Sequence, residues 1–168
     1  MISDKVDLII HHADCPDGWC AAWAGHYTPV EGPMIYVVGS LAGERVEQIA
    51  NRLREAGYVV FDQWRAAGPK DFWADYAVRN NIPFRDALQL DFVETAFNFD
   101  MKYLSKADVG VLVMPAGRSA GLELGWLIGR GKRGYILYDG EPERPDLMAK
   151  LATGVAFSIE ELLEMLKS

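Results

Sequence analysis

The chain is poor in cysteine, has no cluster of basic residues and contains no long apolar run. Its two cysteines, Cys15 and Cys20, are too few for a disulfide scaffold and lack the spacing of a zinc site. No apolar run approaches the roughly 20 residues that cross a bilayer, and the first residues lack the pattern of a signal peptide. These absences predict a cytoplasmic protein with reduced thiols and no membrane partner.

Charge and composition narrow the class of partner. The formal net charge is −7 over 168 residues, and no segment is rich in Lys or Arg. Because tight binding to a nucleic-acid backbone relies on a basic surface, a polymeric nucleic acid is not an expected partner. With 50% hydrophobic and 24% charged residues, the chain has the composition of a soluble globular domain. A single nucleoside or nucleotide needs no basic surface and stays open as a ligand.

Apolar β-rich runs alternate with helical patterns along the chain, which predicts βα units and a parallel sheet. The predicted strands are residues 6–10, 35–38, 58–61, 109–114 and 135–138. Apolar residues at helical spacing between two of these strands are Val46, Ile49, Ala50 and Leu53. We expect Gly57 to cap that helix at its C-terminus. Ser158, with Glu161 three residues on, is expected to begin the last helix, at 159–166.

Two irregular stretches divide the chain. Residues 26–33 hold two prolines and a glycine, so we place a boundary there, with 1–33 as a short N-terminal βα appendage and 34–168 as the main domain. Residues 64–85 contain Pro69 and Pro83 and are aromatic and polar without a clear period. A long loop in a compact domain is often a lid or a binding loop, and a surface excursion capped by a few aromatics is an equal alternative.

Asp100 is a candidate functional residue because of its place on a predicted helix at 91–105. Val93, Phe97 and Leu104 form an apolar stripe along that helix, and Asp100 lies on the same stripe. A carboxylate that faces a core is costly unless it is paired or functional. A salt bridge or a helix-end cap would account for Asp100 as well as a catalytic role would.

The run Pro-Ala-Gly-Arg-Ser-Ala-Gly-Leu-Glu-Leu-Gly at 115–125 follows a predicted strand and opens a helix. Open α/β sheets bind ligands at the carboxyl ends of their strands, and the free N–H groups of a helix start favour anionic or polar groups. We expect Glu123 in the first turn, where it either complements the helix dipole or acts on a ligand. Gly121, Gly125 and Gly129 recur every fourth residue, which predicts a flat face that packs closely against another backbone.

The turn Gly-Ser-Leu-Ala-Gly at 39–43 is a third candidate. Glycines in a strand-to-helix turn suit close backbone approach by a sugar or a phosphate. The turn lacks both the Lys of a P-loop and the complete G-x-G-x-x-G pattern.

Three ordered segments resemble the nucleoside 2-deoxyribosyltransferase family and its nucleotide N-hydrolase relatives. They are Ile-Tyr-Val-Val-Gly-Ser at 35–40, Phe-Asn-Phe-Asp-Met-Lys-Tyr-Leu at 97–104 with Ala-Asp at 107–108, and Gly-Arg-Ser-Ala-Gly-Leu-Glu-Leu-Gly at 117–125 with Gly-Lys at 131–132. The resemblance covers residues 34 to about 168. It implies a flavodoxin-like fold, with a parallel five-stranded sheet and helices on both faces, and neither a cofactor nor a metal.

The resemblance also implies the roles of three residues. Glu123 falls on the position of the glutamate that attacks the anomeric carbon. Asp100 matches the aspartate that assists the departing base, and Tyr36 matches the strand tyrosine that holds the nucleophile. The logic is that of retaining glycoside cleavage applied to a C–N bond.

Two positions depart from the family pattern. Gly117, beside Arg118 and Ser119, stands where transferases commonly carry a base-reading carboxylate. Asp146 takes the place of a residue that completes the site of a neighbouring subunit, which implies at least a homodimer. An acid there would repel a 5′-phosphate and favours an unphosphorylated nucleoside.

Three further substrate contacts are expected. The turn that begins with Gly39 and Ser40 resembles turns that hold phosphate in the hydrolase branch, so it favours a nucleotide instead. From the irregular stretch, Trp64 and Phe72 are candidates to stack on the base, although lid or core aromatics would have the same sequence pattern.

The segment at 8–24 resembles the first motif of DHH-type phosphoesterases, and His12, Asp14 and Asp17 match residues that hold manganese there. The later motifs of that family do not appear downstream. We therefore interpret the segment as a βα remnant or fusion.

The sequence leaves four functions open. The first is a nucleoside deoxyribosyltransferase or hydrolase, and the second is a nucleoside 5′-monophosphate N-hydrolase on the same fold. The third is a non-catalytic nucleotide-binding sensor module, and the last is a metal-dependent phosphoesterase.

Overall fold

The computed structural model describes residues 34–40, 44–62, 72–144 and 146–168. These residues belong to two compact units. The sheet unit comprises the described residues within 34–62 and 103–168, and the helical unit comprises residues 72–102. The predicted strand at 6–10, the appendage at 1–33 and the manganese-like motif lie outside the described residues and stay predictions. No helix within the described ranges is long and apolar enough to cross a membrane.

The sheet unit contains five strands, all parallel, in the order β2-β1-β3-β4-β5. The strands are β1 (Ile35–Gly39), β2 (Val60–Phe61), β3 (Val109–Val113), β4 (Arg133–Leu137) and β5 (Gly154–Ala156). This is the flavodoxin-like strand order, whose switch point lies between β1 and β3. The predicted fold class is therefore confirmed. Four of these strands were predicted, whereas β5, three residues long and starting with glycine, gives no such signal in the sequence.

Helices join these strands. The sheet unit contains α1 (Arg45–Glu55), α5 (Arg118–Gly129), a 3-10 helix (Leu147–Leu151) and α6 (Ile159–Lys167), and the helical unit contains α2 (Phe72–Arg79) and α3 (Phe84–Ala87). Helix α4 (Asp91–Lys106) begins in the helical unit, and its last four residues belong to the sheet unit. The apolar residues of α1 that the sequence predicts on its inner side are all buried: Val46, Ile49, Ala50 and Leu53.

The caps of α1 and α6 follow the sequence. Gly57, at φ +92°, donates to the Arg54 carbonyl at 2.9 Å, and the Tyr58 N–H donates to the Leu53 carbonyl at 3.1 Å. This pair of bonds is a Schellman motif. At α6 the Ser158 hydroxyl accepts from the Glu161 N–H at 3.2 Å, as a capping box requires. Both predicted caps are confirmed.

Helices cover both faces of the sheet. A Cβ at Gly39 would meet Val46 of α1, and one at Gly154 would meet Met165 of α6, so α1 and α6 share a face. A Cβ at Gly110 would meet Leu127 of α5. Gly110 lies an odd number of residues from Val113, the register partner of Gly39. Because strand side chains alternate between faces, α5 covers the face opposite to α1 and α6.

The glycines that allow close packing are on the strands rather than on α5. A Cβ at Gly110 would stand 2.6 Å from Leu127 Cδ1, and one at Gly134 would stand 2.7 Å from Ile128 Cγ1. By contrast, a Cβ at Gly121, Gly125 or Gly129 would meet no atom of the described residues within 4 Å. The close packing of these helix glycines against another backbone stays a prediction.

The helical unit corrects the predicted irregular stretch at 64–85. Residues 72–79 and 84–87 are helices α2 and α3, while residues 63–71 lie outside the described ranges. Trp73 and Tyr76 of α2 pack on Phe92 of α4, with the Tyr76 and Phe92 rings edge to face at 5.5 Å. The helical period of α2 is only two turns long, which is too short to stand out in the sequence.

Candidate active site

Glu123 lies in the second turn of α5, not in the first turn as predicted. Gly117 is the N-cap, in extended conformation, and the helix begins at Arg118, so no acidic residue occupies the first turn. The Glu123 carboxylate therefore does not complement the free N–H groups at the helix start, because that effect fades beyond the first turn. Its presence needs another explanation.

The helix orients Glu123 toward β1. Leu127 packs on Gly110 of β3, and Ile128 packs on Gly134 of β4. The side of α5 that carries Ile128 therefore faces β4, and the side that carries Leu127 faces β3. Glu123 precedes Leu127 by one turn and lies on the same side of the helix. It therefore faces away from β4 and toward the side of the sheet where β1 lies.

The surroundings of Glu123 oppose its ionisation. Burial raises the pKa of the carboxyl from 4.5 to about 7. In the described part of the chain, no side chain forms an ion pair or a hydrogen bond with this carboxylate. A half-buried acid without a counter-charge costs stability, and such perturbed groups cluster at functional sites.

Tyr36 lies on the sheet face that α5 covers. It is the register partner of Gly110, on which Leu127 packs, and its side chain is completely buried. Its ring stacks on Phe61 at 5.3 Å, and Phe61 stacks on Tyr103 at 4.1 Å. The fold thus places Tyr36 and Glu123 on the same face of the sheet and on the same side of α5. That Tyr36 holds the nucleophile stays a prediction.

Asp100 lies on α4 within the helical unit. Its side chain is half-buried, and its neighbour Phe99 is buried. The predicted stripe is partly wrong, because Phe97 is 61% exposed. The buried positions Phe92, Phe99 and Tyr103 instead define the inner side of α4, and Asp100 flanks them. The approach of Asp100 to Glu123 stays a prediction.

Polar candidates gather at the carboxyl edge of the sheet. Gly39 and Ser40 end β1, and a Cβ at Gly39 would stand 2.9 Å from the Val113 carbonyl oxygen, so the protein's own packing requires this glycine. Gly117, Arg118 and Ser119 follow β3 and are all exposed. The two groups follow adjacent strands, which brings them to the switch point of the sheet.

Arg45 is a residue at this edge that the sequence pattern did not single out as a candidate. From the first position of α1 its guanidinium donates to the Tyr138 carbonyl oxygen at 3.1 Å and pairs with Asp139 at 2.9 Å. Tyr138 follows β4, so the side chain crosses the end of β3 to reach it. The sequence feature that could have identified Arg45 as a candidate is its position two residues after the 39–43 turn.

No model of a protein family matches the chain, and no curated protein sequence does. Among solved structures, the chain is similar to a CMP N-glycosidase of Clostridium botulinum, BcmB. The identity is 14%, the TM-score is 0.49, and the match covers 80% of this chain and 99% of that chain. A likeness so distant is compatible with many functions, because one fold supports unrelated chemistries.

The remaining candidates are not brought to this edge by any described contact. The Asp146 carboxylate accepts from the Met148 N–H at 2.9 Å and so caps the 3-10 helix. Its contribution to a neighbouring subunit stays a prediction. Trp64 lies outside the described residues, and Phe72 begins α2. An open groove between the end of α1 and α6 lies on the opposite face from Glu123.

Proposed function

We propose that this protein cleaves the N-glycosidic bond of a nucleoside, with Glu123 as the nucleophile. The observation that carries the proposal is the half-buried Glu123 carboxyl, whose pKa burial raises to about 7 and which has no ion pair with any described residue. Such a group weakens the fold, and ionisable groups with strongly shifted pKa values cluster at functional sites. Its place on the helix that follows the central strand matches the ligand-binding edge of open α/β sheets.

The reaction has two displacements. A carboxylate oxygen of Glu123 bonds to the anomeric carbon while the C–N bond breaks, and the electron pair of that bond passes to the base. Asp100 supplies the proton that lets the base leave neutral. Water or a second base then gives a proton to the Asp100 carboxylate and bonds to the anomeric carbon, and the ester bond to Glu123 breaks to release its carboxylate. Tyr36 orients the nucleophile.

The same chemistry on a 5′-monophosphate is the second candidate, and Arg45 favours it. The guanidinium lies at the carboxyl edge with its side chain 31% exposed, and among the described residues its one carboxylate partner is Asp139, which is itself 80% exposed. Guanidinium groups bind phosphate through paired hydrogen bonds. Asp146, if a neighbouring subunit brings it to the site, acts against the phosphate.

Base release separates these functions. Wild-type protein is incubated with deoxynucleosides and their 5′-monophosphates, with and without a second free base, and the products are resolved by chromatography. Base exchange indicates a transferase, and release without an acceptor indicates a hydrolase. Preference for the monophosphate supports the second candidate. Absence of turnover with every substrate contradicts both and leaves a binding module.

Glu123→Ala and Glu123→Gln are expected to lower the rate by roughly a thousandfold or more, because the covalent route is lost. The matched control is Glu160→Gln on α6, an exposed glutamate on the opposite face that pairs with Arg52 at 3.2 Å. The control keeps the wild-type rate. Trapping of a glycosyl ester on Glu123, detected by peptide mass, supports the assignment. Wild-type rates in both Glu123 variants contradict it.

A further inference from the structure

Three aromatic rings form a stack on the sheet face that α5 covers. Phe61 is the register partner of Tyr36 on the neighbouring strand, so both side chains lie on this face. The Phe61 ring centre lies 5.3 Å from that of Tyr36 and 4.1 Å from that of Tyr103, with only 8° between the Phe61 and Tyr103 planes. All three side chains are fully buried. We call Tyr36, Phe61 and Tyr103 the aromatic stack.

The aromatic stack and α5 occupy neighbouring strips of this face. Tyr103 begins the last turn of α4, and its contact with Phe61 places that turn over β2. Helix α5 packs over the glycines of β3 and β4. Strand β1 lies between β2 and β3, so Tyr36 lies between the last turn of α4 and α5. Glu123 faces the same strip, because its side of α5 points toward β1.

The backbone of β1 does not by itself fix the direction of the Tyr36 side chain. Two χ1 rotamers are common in strands, where side chains lean along the strand. Tyr36 is level with Gly110, on which Leu127 packs. Glu123 precedes Leu127 by four residues, which places it about 6 Å nearer the carboxyl edge. The Tyr36 hydroxyl therefore reaches Glu123 only when the ring leans toward that edge, and contact with Phe61 selects one direction.

Phe61 needs a further contact to hold Tyr36 in this way. Strand β2 is two residues long and lies at the end of the strand order, so it has one neighbouring strand. The Tyr103 ring lies flat against the Phe61 ring. Aromatic pairs have preferred relative orientations, whereas an aliphatic side chain would fill the space without fixing the plane of the Phe61 ring. Tyr103 thus fixes Phe61, and Phe61 fixes Tyr36.

We propose that Tyr103 is a positioning residue of the reaction, which holds the Tyr36 ring through Phe61 so that the Tyr36 hydroxyl reaches Glu123. This inference rests on the proposed function, in which Tyr36 orients the nucleophile. Because Tyr103 is fully buried, it acts through its neighbour and not on the substrate. The ring of Tyr103 carries the role, and its hydroxyl does not. Misplacement of a reacting group slows chemistry more than it weakens binding, so kcat is the sensitive quantity.

Base-release kinetics of variants that lack the ring test the proposal. Tyr103→Met fills the space without a ring and is expected to lower kcat by about tenfold while KM stays within about twofold. Tyr103→Phe keeps the ring and the wild-type kcat. The matched control is Tyr135→Met, which removes a buried tyrosine from the opposite sheet face, where its hydroxyl donates to the Met165 carbonyl at 3.3 Å. The control loses stability but keeps the wild-type kcat.

A double-mutant cycle shows whether Tyr103 acts through Tyr36. Tyr36→Phe removes the hydroxyl and is expected to lower kcat. In that background Tyr103→Met lowers kcat no further, because the group that it positions is already absent. Losses that multiply overturn the proposal, as does a wild-type kcat in Tyr103→Met. A kcat loss in Tyr103→Phe, or an equal loss in Tyr135→Met, also overturns it.

The flip rate of the Tyr36 ring gives a readout that needs no turnover. Nuclear magnetic resonance of tyrosines labelled in the ring measures this rate, and the loss of signals in Tyr36→Phe assigns them. The rate is expected to rise in Tyr103→Met and to stay unchanged in Tyr135→Met. Where Tyr103→Met does not fold, Phe61→Met breaks the same stack and is expected to give the same kcat loss and faster flips.

The two readouts separate this proposal from the proposed function. A wild-type protein that releases no base from any substrate contradicts the proposed function, and the flip rate then decides by itself whether Tyr103 fixes the Tyr36 ring. An unchanged flip rate in both Tyr103→Met and Phe61→Met overturns the positioning role, whether or not the wild-type protein releases base.

Discussion

Glu123 is predicted to give the reaction its pH dependence. The attacking group must be ionised, and burial raises the pKa of this carboxyl to about 7. The ionised fraction, and with it kcat/KM, therefore rises about tenfold between pH 6 and pH 8 and then levels off. Base release measured across this range checks the prediction. A profile that is already level at pH 5 would show that Glu123 ionises normally and does not limit the reaction.

The same carboxyl lowers the stability of the protein at neutral pH. Since the folded-state pKa is about 7 and the reference value is 4.5, the unfolded chain releases this proton first as pH rises. The free energy of unfolding thus falls between these pH values. Glu123→Gln is expected to raise it by about 2–3 kcal/mol at pH 8 and by little at pH 5. Denaturant unfolding measures this difference, and Glu160→Gln should show none at either pH.

For individual residues, the sequence identifies the candidate acid Glu123 but does not predict the burial of its carboxyl. The segment at 117–125 identifies Glu123, but its expected place in the first turn left the helix dipole as an alternative explanation for this residue. That explanation fails because α5 begins at Arg118. The raised pKa depends on burial against distant segments, which local pattern does not encode. Arg45 escaped notice for a similar reason, since its bond to the Tyr138 carbonyl spans 93 residues.

Helix α5 sits on the sheet because two strands present glycine beneath it. Gly110→Ala brings a methyl group to within 2.6 Å of Leu127 and is expected to lower the free energy of unfolding by about 1–3 kcal/mol. Gly125→Ala meets no atom within 4 Å and is expected to raise it by about 0.5–1 kcal/mol through helix propensity. Both are compared with the wild-type protein by urea unfolding. Equal effects would contradict this account of the packing.

Elements with strong local signals are the ones the sequence predicts correctly. Strand β3 is an apolar run buried along its whole length, and α1 has four apolar residues at helical spacing. Helix α2 and strand β5 are short, and contacts outside each segment stabilise them. The glycine repeat of α5 is visible in the sequence, but among the described residues the glycines that pack closely on this helix are Gly110 and Gly134 of the strands.

Over the whole sheet unit, the carboxyl edge and the amino edge of the sheet carry different sets of polar residues. The carboxyl edge carries Ser40, Arg45, Arg118 and Ser119, the polar groups that we propose bind the ligand. At the amino edge, Asp108, the residue before β3, connects neighbouring segments of the sheet unit. Its carboxylate accepts from the Met34 N–H at 3.0 Å and lies 3.6 Å from the Lys132 ammonium group. Ala-Asp at 107–108 was part of the family resemblance, and the structure gives this aspartate a role in joining β1, β3 and the turn before β4.

This difference between the two edges predicts that substitution of Asp108 lowers the stability of the protein without changing substrate binding. Asp108→Ala leaves the Met34 N–H without its acceptor and is expected to cost about 1 kcal/mol, since the carboxylate is half-exposed and its ion pair with Lys132 adds little. Asp108→Asn keeps an acceptor and should recover most of that loss. Thermal unfolding measures the stabilities, and base release measures KM.

The substrate KM and the pH profile should stay at wild-type values in both variants, because Asp108 lies at the edge of the sheet opposite to the site. A changed KM with unchanged stability would assign Asp108 to the site instead, and the carboxyl edge would then no longer hold all of the ligand-binding groups.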